Sequence, residues 1–408
     1  MTTLSRVPEY SAERPAARDP DANARIHSLL LLCARARLDD AATTEVRILA
    51  ERGVDWACLL VAAAEHAVAP LVCRRLDDIA GDTLPPLWRD RFRDAFRRNV
   101  HRNLFLTSEL FRVLAALGAR GVGATPFKGP VLAARAYGDI ALRQFADLDI
   151  IVPHCEIAEA HRALMSLDYR SELDEDETRE PSRAGKPIPG QYAYHHEARS
   201  THVELHTEAT LRYFPRPLDL QALNSRRKTI EFACGEAPTF SAEDLLVLLS
   251  VHGSKHFWDR LGWIADIAAL MQSSGGLDWE SAIEHARRLG AERMVLLGAE
   301  LARALLNAPL PDRILPHLDR DPVVRQISGQ ICRRFLGSRR PEFGVFSRFG
   351  FRVRMGGGTG DGLRYAVRLA TVPTESDRTE NRLPKHFEGL YSILRPLRLV
   401  RLYGWRTR

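Results

Sequence analysis

The 408-residue chain is poor in the features that mark secreted, membrane or zinc-framework proteins. Its six cysteines, Cys33, Cys58, Cys73, Cys155, Cys234 and Cys332, are scattered and form no Cys-x-x-Cys pair, which argues for reduced, mostly buried thiols. No apolar run approaches the roughly 20 residues needed to cross a bilayer; Leu29 to Cys33 is far too short. No secretory signal is expected from the N-terminal stretch, which is polar, with Pro8, Pro15 and Pro20 among charges. The expected location is cytoplasmic. Excess charge of one sign is small: a net +6 permits phosphate-bearing partners without requiring them.

What is present is the ordinary balance of a globular protein, 45% hydrophobic and 27% charged residues, in a chain long enough for two or three domains. Pattern divides it into a disordered segment over 1–24, an N-terminal helical region over 25–120, a core over 121–235, a C-terminal helical region over 236–335 and a basic extension over 336–408. Ile26, Leu29, Leu30 and Cys33 recur at helical spacing, as do Leu59, Leu60, Ala63, Ala64 and Ala67. Pro85-Pro86 interrupts this region. Between Arg89 and Arg102, charges interleave with Phe92 and Phe96 at i and i+4, the pattern of a solvated amphipathic helix, with an anionic-substrate surface as the alternative.

Gly118, Gly121 and Gly123 announce a change of architecture. Val122 to Phe127 reads as a short strand, placed at a sheet edge by Pro126. Lys128-Gly129 makes a tight turn, and Pro130 opens a helix that runs through Tyr137. Such a turn lets backbone approach a phosphate, and the helix start offers free N–H groups. A strand then carries Asp147-Leu148-Asp149 into Ile150, Ile151 and Val152. Residues two apart share a strand face, so the two aspartates lie side by side. At about 5 Å and an effective dielectric of about 20 they repel by about 3 kcal/mol, which a divalent cation with hard oxygen ligands, Mg²⁺ or Mn²⁺, relieves.

A helix is expected from Cys155 to Leu167, with Ile157, Ala160, Leu164 and Met165 inward, then a solvated insertion made of Glu172 to Glu180 and Pro181 to Gly190. Gln191 to His196 and Thr201 to Glu208 form a hairpin across Glu197 to Ser200. Within the second run His202, Glu204 and His206 share one face. If this strand lies antiparallel beside the aspartate strand, Glu204 supplies a third carboxylate, as two-metal phosphoryl chemistry requires.

In these motifs the chain resembles the nucleotidyltransferase superfamily of DNA polymerase β type, specifically the bacterial branch described as uncharacterised nucleotidyltransferases. The similarity lies in Phe127-Lys128-Gly129 (an LKG turn in that branch), Tyr137, Arg143, the D-h-D-h-h-V run Asp147 to Val152, and Glu204-Leu205-His206-Thr207, which stands where the branch has D-L-H-W. It continues in the segment His252, Lys255, His256, Trp258, Arg260, Leu261, Trp263 and Asp266, and in Pro373, Asp377, Leu383-Pro384 and Leu394-Arg395-Pro396, covering about residues 50 to 405. Two departures stand out. The superfamily's Gly-Ser or Gly-Gly turn is Lys-Gly here, and Glu204 and Thr207 replace an aspartate and an aromatic residue.

The resemblance implies an α+β fold, a small mixed nucleotidyltransferase sheet with helical regions before and after it. It implies metal-dependent transfer of a nucleotidyl group from a nucleoside triphosphate such as ATP to an acceptor of unknown identity, a small molecule, a peptide or protein, or RNA. Asp147, Asp149 and Glu204 are then the catalytic and metal-binding carboxylates, and Lys128, Gly129, Arg143 and Lys255 hold nucleotide phosphates. The alternative is a catalytically weak or inactive nucleotide- or nucleic-acid-binding module.

Further along, Ser241 is an N-cap with Asp244 as its acidic partner. His252 and His256 have the spacing of a zinc-protease helix, but Gly253 occupies the position of the general-base glutamate, so zinc is not expected. Trp258, Arg260, Trp263 and Asp266 read as packing and an internal ion pair. Arg333 to Arg354 interleaves arginines with Phe335, Phe343, Phe346, Phe349 and Phe351. Burial of those rings on the helical region is favoured over a nucleic-acid or anionic-membrane surface. Gly356 to Gly360 is expected to be a joint, and Pro396 to kink or interrupt the last helix.

Overall fold

The computed structural model describes residues 20–171, 190–207, 219–273, 275–336, 345–356, 359–371 and 390–403. Five helices come first: α1 (Pro20–Cys33), α2 (Asp40–Glu51), α3 (Trp56–Glu65), α4 (Ala69–Ala80) and the long α5 (Pro86–Ala119). Asp39 caps α2 by accepting from Ala42 N–H (2.7 Å), Asp55 caps α3 by accepting from Cys58 N–H (2.9 Å), and Pro86 sits in the first turn of α5. The first helix starts at Pro20, inside the 1–24 stretch expected to be disordered; residues 1–19 lie outside the described ones.

Helix α5 joins two cores. Near its start Phe92 is buried in the helical core, which bears out the amphipathic-helix reading of this segment. Farther along, Leu106, Leu110, Val113 and Leu117 recur at helical spacing and are buried against the sheet residues Ile150, Val203 and Leu205. The helices before and after the sheet are not separate bodies: Leu29 and Leu59 share one continuous core with Leu245, Trp258, Leu297 and Ile327.

Among the described residues the sheet has five strands in the order β1-β2-β5-β4-β3, with β1 Thr125–Pro126, β2 Asp147–Ile151, β3 Arg170–Ser171, β4 Gln191–His196 and β5 Thr201–His206. As expected, Pro126 lies on an edge strand and β4 and β5 form an antiparallel hairpin. The α+β class, with a small mixed sheet between helical regions, is the observed architecture. A separate two-stranded sheet, Lys228–Phe232 with Gly235–Thr239, follows.

Several expectations need correction. Strand β5 is adjacent to β2 but parallel to it, not antiparallel. The chain passes through helix α7 (Ile157–Met165) and β3 before the hairpin returns β5 in the direction of β2, a crossover that parallel neighbours require. Ile157, Ala160 and Leu164 face inward, but Met165, one position beyond their stripe, is exposed. The helix expected from Pro130 to Tyr137 is a short α-helix, α6 (Gly129–Leu132), continued as a π-helix over Ala133–Tyr137 and ended by Gly138 in the left-handed region. Pro396 does not end the last helix, Tyr391–Tyr403, but lies within it. Ser241 does cap helix Ala242–Lys255, accepting from Asp244 N–H.

The expected insertion falls on residues 172–189, outside the described residues, as do Phe343, Gly357-Gly358, Pro373, Asp377 and Leu383-Pro384. Within the basic aromatic segment Phe351 is buried and Phe335 packs on the helical core, in line with the packing reading. No helix among the described residues is long and apolar enough to cross a membrane.

Candidate functional site

Parallel pairing of β2 and β5 sets Asp149 directly beside Glu204, Asp147 beside His202, and Ile151 beside His206. Alternation then puts Asp147, Asp149, Glu204 and His206 on one face. His206 Nε2 lies 2.9 Å from Asp149 Oδ1 and 3.6 Å from Glu204 Oε2. One ligand atom from each of these three residues falls within 4.8 Å of the others. Asp147 stands two residues earlier on β2, nearer solvent.

The glycine turn delivers a lysine to this group. Gly129 has φ +58°, and a Cβ there would lie 3.4 Å from the Asp147 carbonyl oxygen, so the turn passes tightly under β2. Phe127 N–H donates to the Asp149 carbonyl (3.2 Å), and its ring meets His206 edge to face at 5.3 Å. Between these anchors Lys128, itself buried, donates from Nζ to Asp149 Oδ1 at 2.9 Å.

From the opposite side comes helix Ala242–Lys255. Lys255 Nζ donates to Gln191 Oε1 (3.0 Å), and Gln191 Nε2 donates to Glu204 Oε2. Beside them the rings of His252, His256 and Trp263 pack together, His252 to His256 at 4.7 Å between centroids. Gly253 is fixed by sterics: a Cβ there would meet Trp258 Cζ3 at 2.5 Å. Arg143 is turned elsewhere. Its guanidinium donates through Nε and one Nη to both oxygens of buried Asp266 (2.9 and 3.0 Å), and Tyr137 O–H donates to the same carboxylate at 2.9 Å. The ion pair expected at Asp266 thus exists, with Arg143 as its partner.

Electrostatics divide the three carboxylates. Burial alone would raise Asp149, but Lys128 and His206 outweigh it and hold the group well below the usual carboxylate range. Burial and the Asp149 charge raise Asp147, against the pull of Lys128 and Arg143. Glu204 is pushed up to about 7 by burial and by its two acidic neighbours. His252 and Lys255 are both lowered by burial and then by Lys128, and the nearby Asp149 charge opposes this. Asp147 and Glu204 are therefore the carboxylates whose ionised forms the local cations stabilise least, and a divalent ion between them would favour those forms.

The site unites Asp147, Asp149, Glu204, Lys128, Gly129 and Lys255 around one sheet face; Arg143 alone of the expected residues is engaged away from it. His206 and Gln191 were not among the expected site residues. For His206 the signal was available, since the same alternation that singles out Glu204 puts it on that face. Gln191 shows no signal in its own sequence.

Fold and site together define an α+β domain with an acidic and imidazole cluster on adjacent strands, fed by a Lys-Gly turn. A family model described as uncharacterised nucleotidyltransferase matches residues 52–307, and the chain belongs to that family. No curated protein and no solved structure gave a match.

Proposed function

We propose that the protein transfers a nucleotidyl group from a nucleoside triphosphate to an acceptor hydroxyl. The observation that carries this reading is the register of β2 against β5, which sets Asp149 beside Glu204 with Asp147 two residues away on the same face. Asp147, Asp149 and Glu204 are the acidic set, and His206 completes a donor group of two carboxylates and an imidazole around Asp149. Carboxylates suit Mg²⁺ or Mn²⁺, and a divalent ion would offset the mutual repulsion that disfavours ionisation of Asp147 and Glu204. When bound, such an ion neutralises charge on the phosphates and lowers the pKa of a bound hydroxyl.

The chain's own residues do the rest. In the transfer, the acceptor oxygen forms a bond to the α-phosphorus, the bond from that phosphorus to the bridging oxygen breaks, and pyrophosphate leaves. The acceptor proton passes to Glu204, the carboxylate that the strand register sets beside Asp149. Lys128, at the glycine turn, exchanges its contact with Asp149 for the triphosphate. Lys255 reaches the same phosphates from the helical side. Arg143 acts through Asp266, bracing the segment between Tyr137 and β2.

The test is incubation of the purified protein with each labelled nucleoside triphosphate, Mg²⁺ or Mn²⁺, and cell extract. Label appearing on one acceptor class, with pyrophosphate release that Asp147→Asn abolishes, supports the transfer. Binding of RNA or DNA that is sensitive to salt and indifferent to Asp147 and Asp149, without label transfer, replaces it with a binding module.

A further inference from the structure

A cavity of about 470 Å³ opens where Arg37, just after α1, the helix α4, the π-helical turn Ala133–Tyr137 and the end of helix Leu261–Met271 meet. None of Lys128, Asp147, Asp149, Glu204, His206 or Lys255 lines it, so it is distinct from the carboxylate site. Its wall holds four arginines, Arg37, Arg74, Arg75 and Arg135, against two aspartates, Asp78 and Asp139. One arginine is neutralised: Arg74 pairs with Asp78 at 2.9 Å. Asp139 is turned to its own backbone, accepting from Ala141 N–H at 2.8 Å.

Two other arginines are oriented by neutral partners. Arg37 donates to the Gln272 carbonyl (3.3 Å) and Arg75 to the Ala36 carbonyl (3.1 Å). Bonds to carbonyls fix the direction of a guanidinium without cancelling its charge. The excess is arginine rather than lysine, the side chain whose planar fork matches two phosphate oxygens at once. Leu71, Leu142 and Ala269 add an apolar part to the lining. The volume lies within the range of about 300 to 1,000 Å³ common for small-molecule sites.

We propose that this cleft is a second anion site that binds a small phosphate-bearing ligand through Arg37 and Arg75. Its position couples it to the catalytic face. Tyr137 lines the cleft, and its hydroxyl donates to the Asp266 carboxylate that also holds Arg143. The π-helical turn in its wall continues the short helix that begins at Gly129, immediately after Lys128. An occupant therefore rests on the segment that aims Lys128 at Asp149. The inference does not depend on nucleotidyl transfer.

Calorimetric titration of the full chain in EDTA, with AMP, inorganic pyrophosphate and adenosine as separate probes, tests it. Expected is saturable binding of AMP, of pyrophosphate or of both, with no binding of adenosine; which of the two binds more tightly tells an organic phosphate from an inorganic one. Arg37→Glu, at an exposed position, and Arg75→Gln should each weaken that binding by about tenfold or more, with circular dichroism unchanged. Asp147→Asn should leave it as it was. Absence of phosphate binding at millimolar concentration, adenosine binding as well as AMP, or loss of binding in Asp147→Asn but not in the arginine variants overturns the assignment.

Discussion

Lys128 and Asp149 form a buried ion pair, Nζ to Oδ1 at 2.9 Å, in the middle of the carboxylate face. The lysine thus serves as counter-ion to one carboxylate of an acidic set whose other members it compensates only in part. This unequal sharing of one positive charge separates the consequences of removing each aspartate.

Asp149→Asn should lose transfer and also stability, because it strands a buried ammonium; breaking such a pair costs about 3 to 5 kcal/mol. Asp147→Asn should lose transfer while keeping or raising the melting temperature of the metal-free protein, since burial and the Asp149 charge already disfavour its ionised form. Differential scanning calorimetry in EDTA beside a pyrophosphate-release assay makes the comparison. Equal destabilisation by both substitutions would contradict the charge assignment.

Glu204→Gln keeps the hydrogen-bonding shape toward Gln191 but removes the proton acceptor. Transfer should fall by about a hundredfold or more, the usual worth of a general base. A steady-state assay under saturating triphosphate reads the change in kcat, and a variant retaining the full rate excludes Glu204 as the base.

Gly253→Ala places a methyl group where Trp258 already lies, 2.5 Å from Cζ3. Overpacking of this kind costs about 1 to 3 kcal/mol. Urea unfolding followed by tryptophan fluorescence should show the midpoint move down; an unchanged midpoint means that the indole shifts without penalty.

Away from the site, buried Glu109 accepts from Arg112, from the Tyr169 hydroxyl (2.7 Å) and from Arg199 (2.9 Å). Burial works against its ionisation, but these partners prevail and its pKa is lowered. A lowered carboxyl adds stability above its unfolded value of about 4.3 and loses it as pH falls through the folded value. Glu109→Gln should cost about 2 kcal/mol at pH 7 and flatten the decline of stability below about pH 4. Parallel acid titrations of wild type and variant, followed by circular dichroism, measure both effects.

The legible part of this protein was the face, not the neighbours. Alternation in Asp147-Leu148-Asp149 and in His202 to His206 says which side chains emerge together, and the structure agrees. Strand direction is absent from a period-2 pattern, so β5 beside β2 was foreseen and its parallel sense was not. The long connection through α7 and β3 carried that information. Arg143 and Asp266, more than a hundred residues apart in the sequence, show a second limit: Arg143 reads as a phosphate-holding residue and Asp266 as half of an internal ion pair, and only the fold reveals that they are each other's partners. Lys128 was expected to await a phosphate; tertiary packing gives it Asp149.

The helical core closes over both ends of the family-matched region. Ile26, Leu29 and Val46 lie before residue 52 and Ile314, Val324 and Ile327 after residue 307, yet all are buried in it. The stretch that defines kinship is therefore smaller than the stretch that folds. Expressed alone, 52–307 would present bare apolar surface on two sides of one core, and aggregation rather than a trimmed enzyme is the outcome its packing dictates.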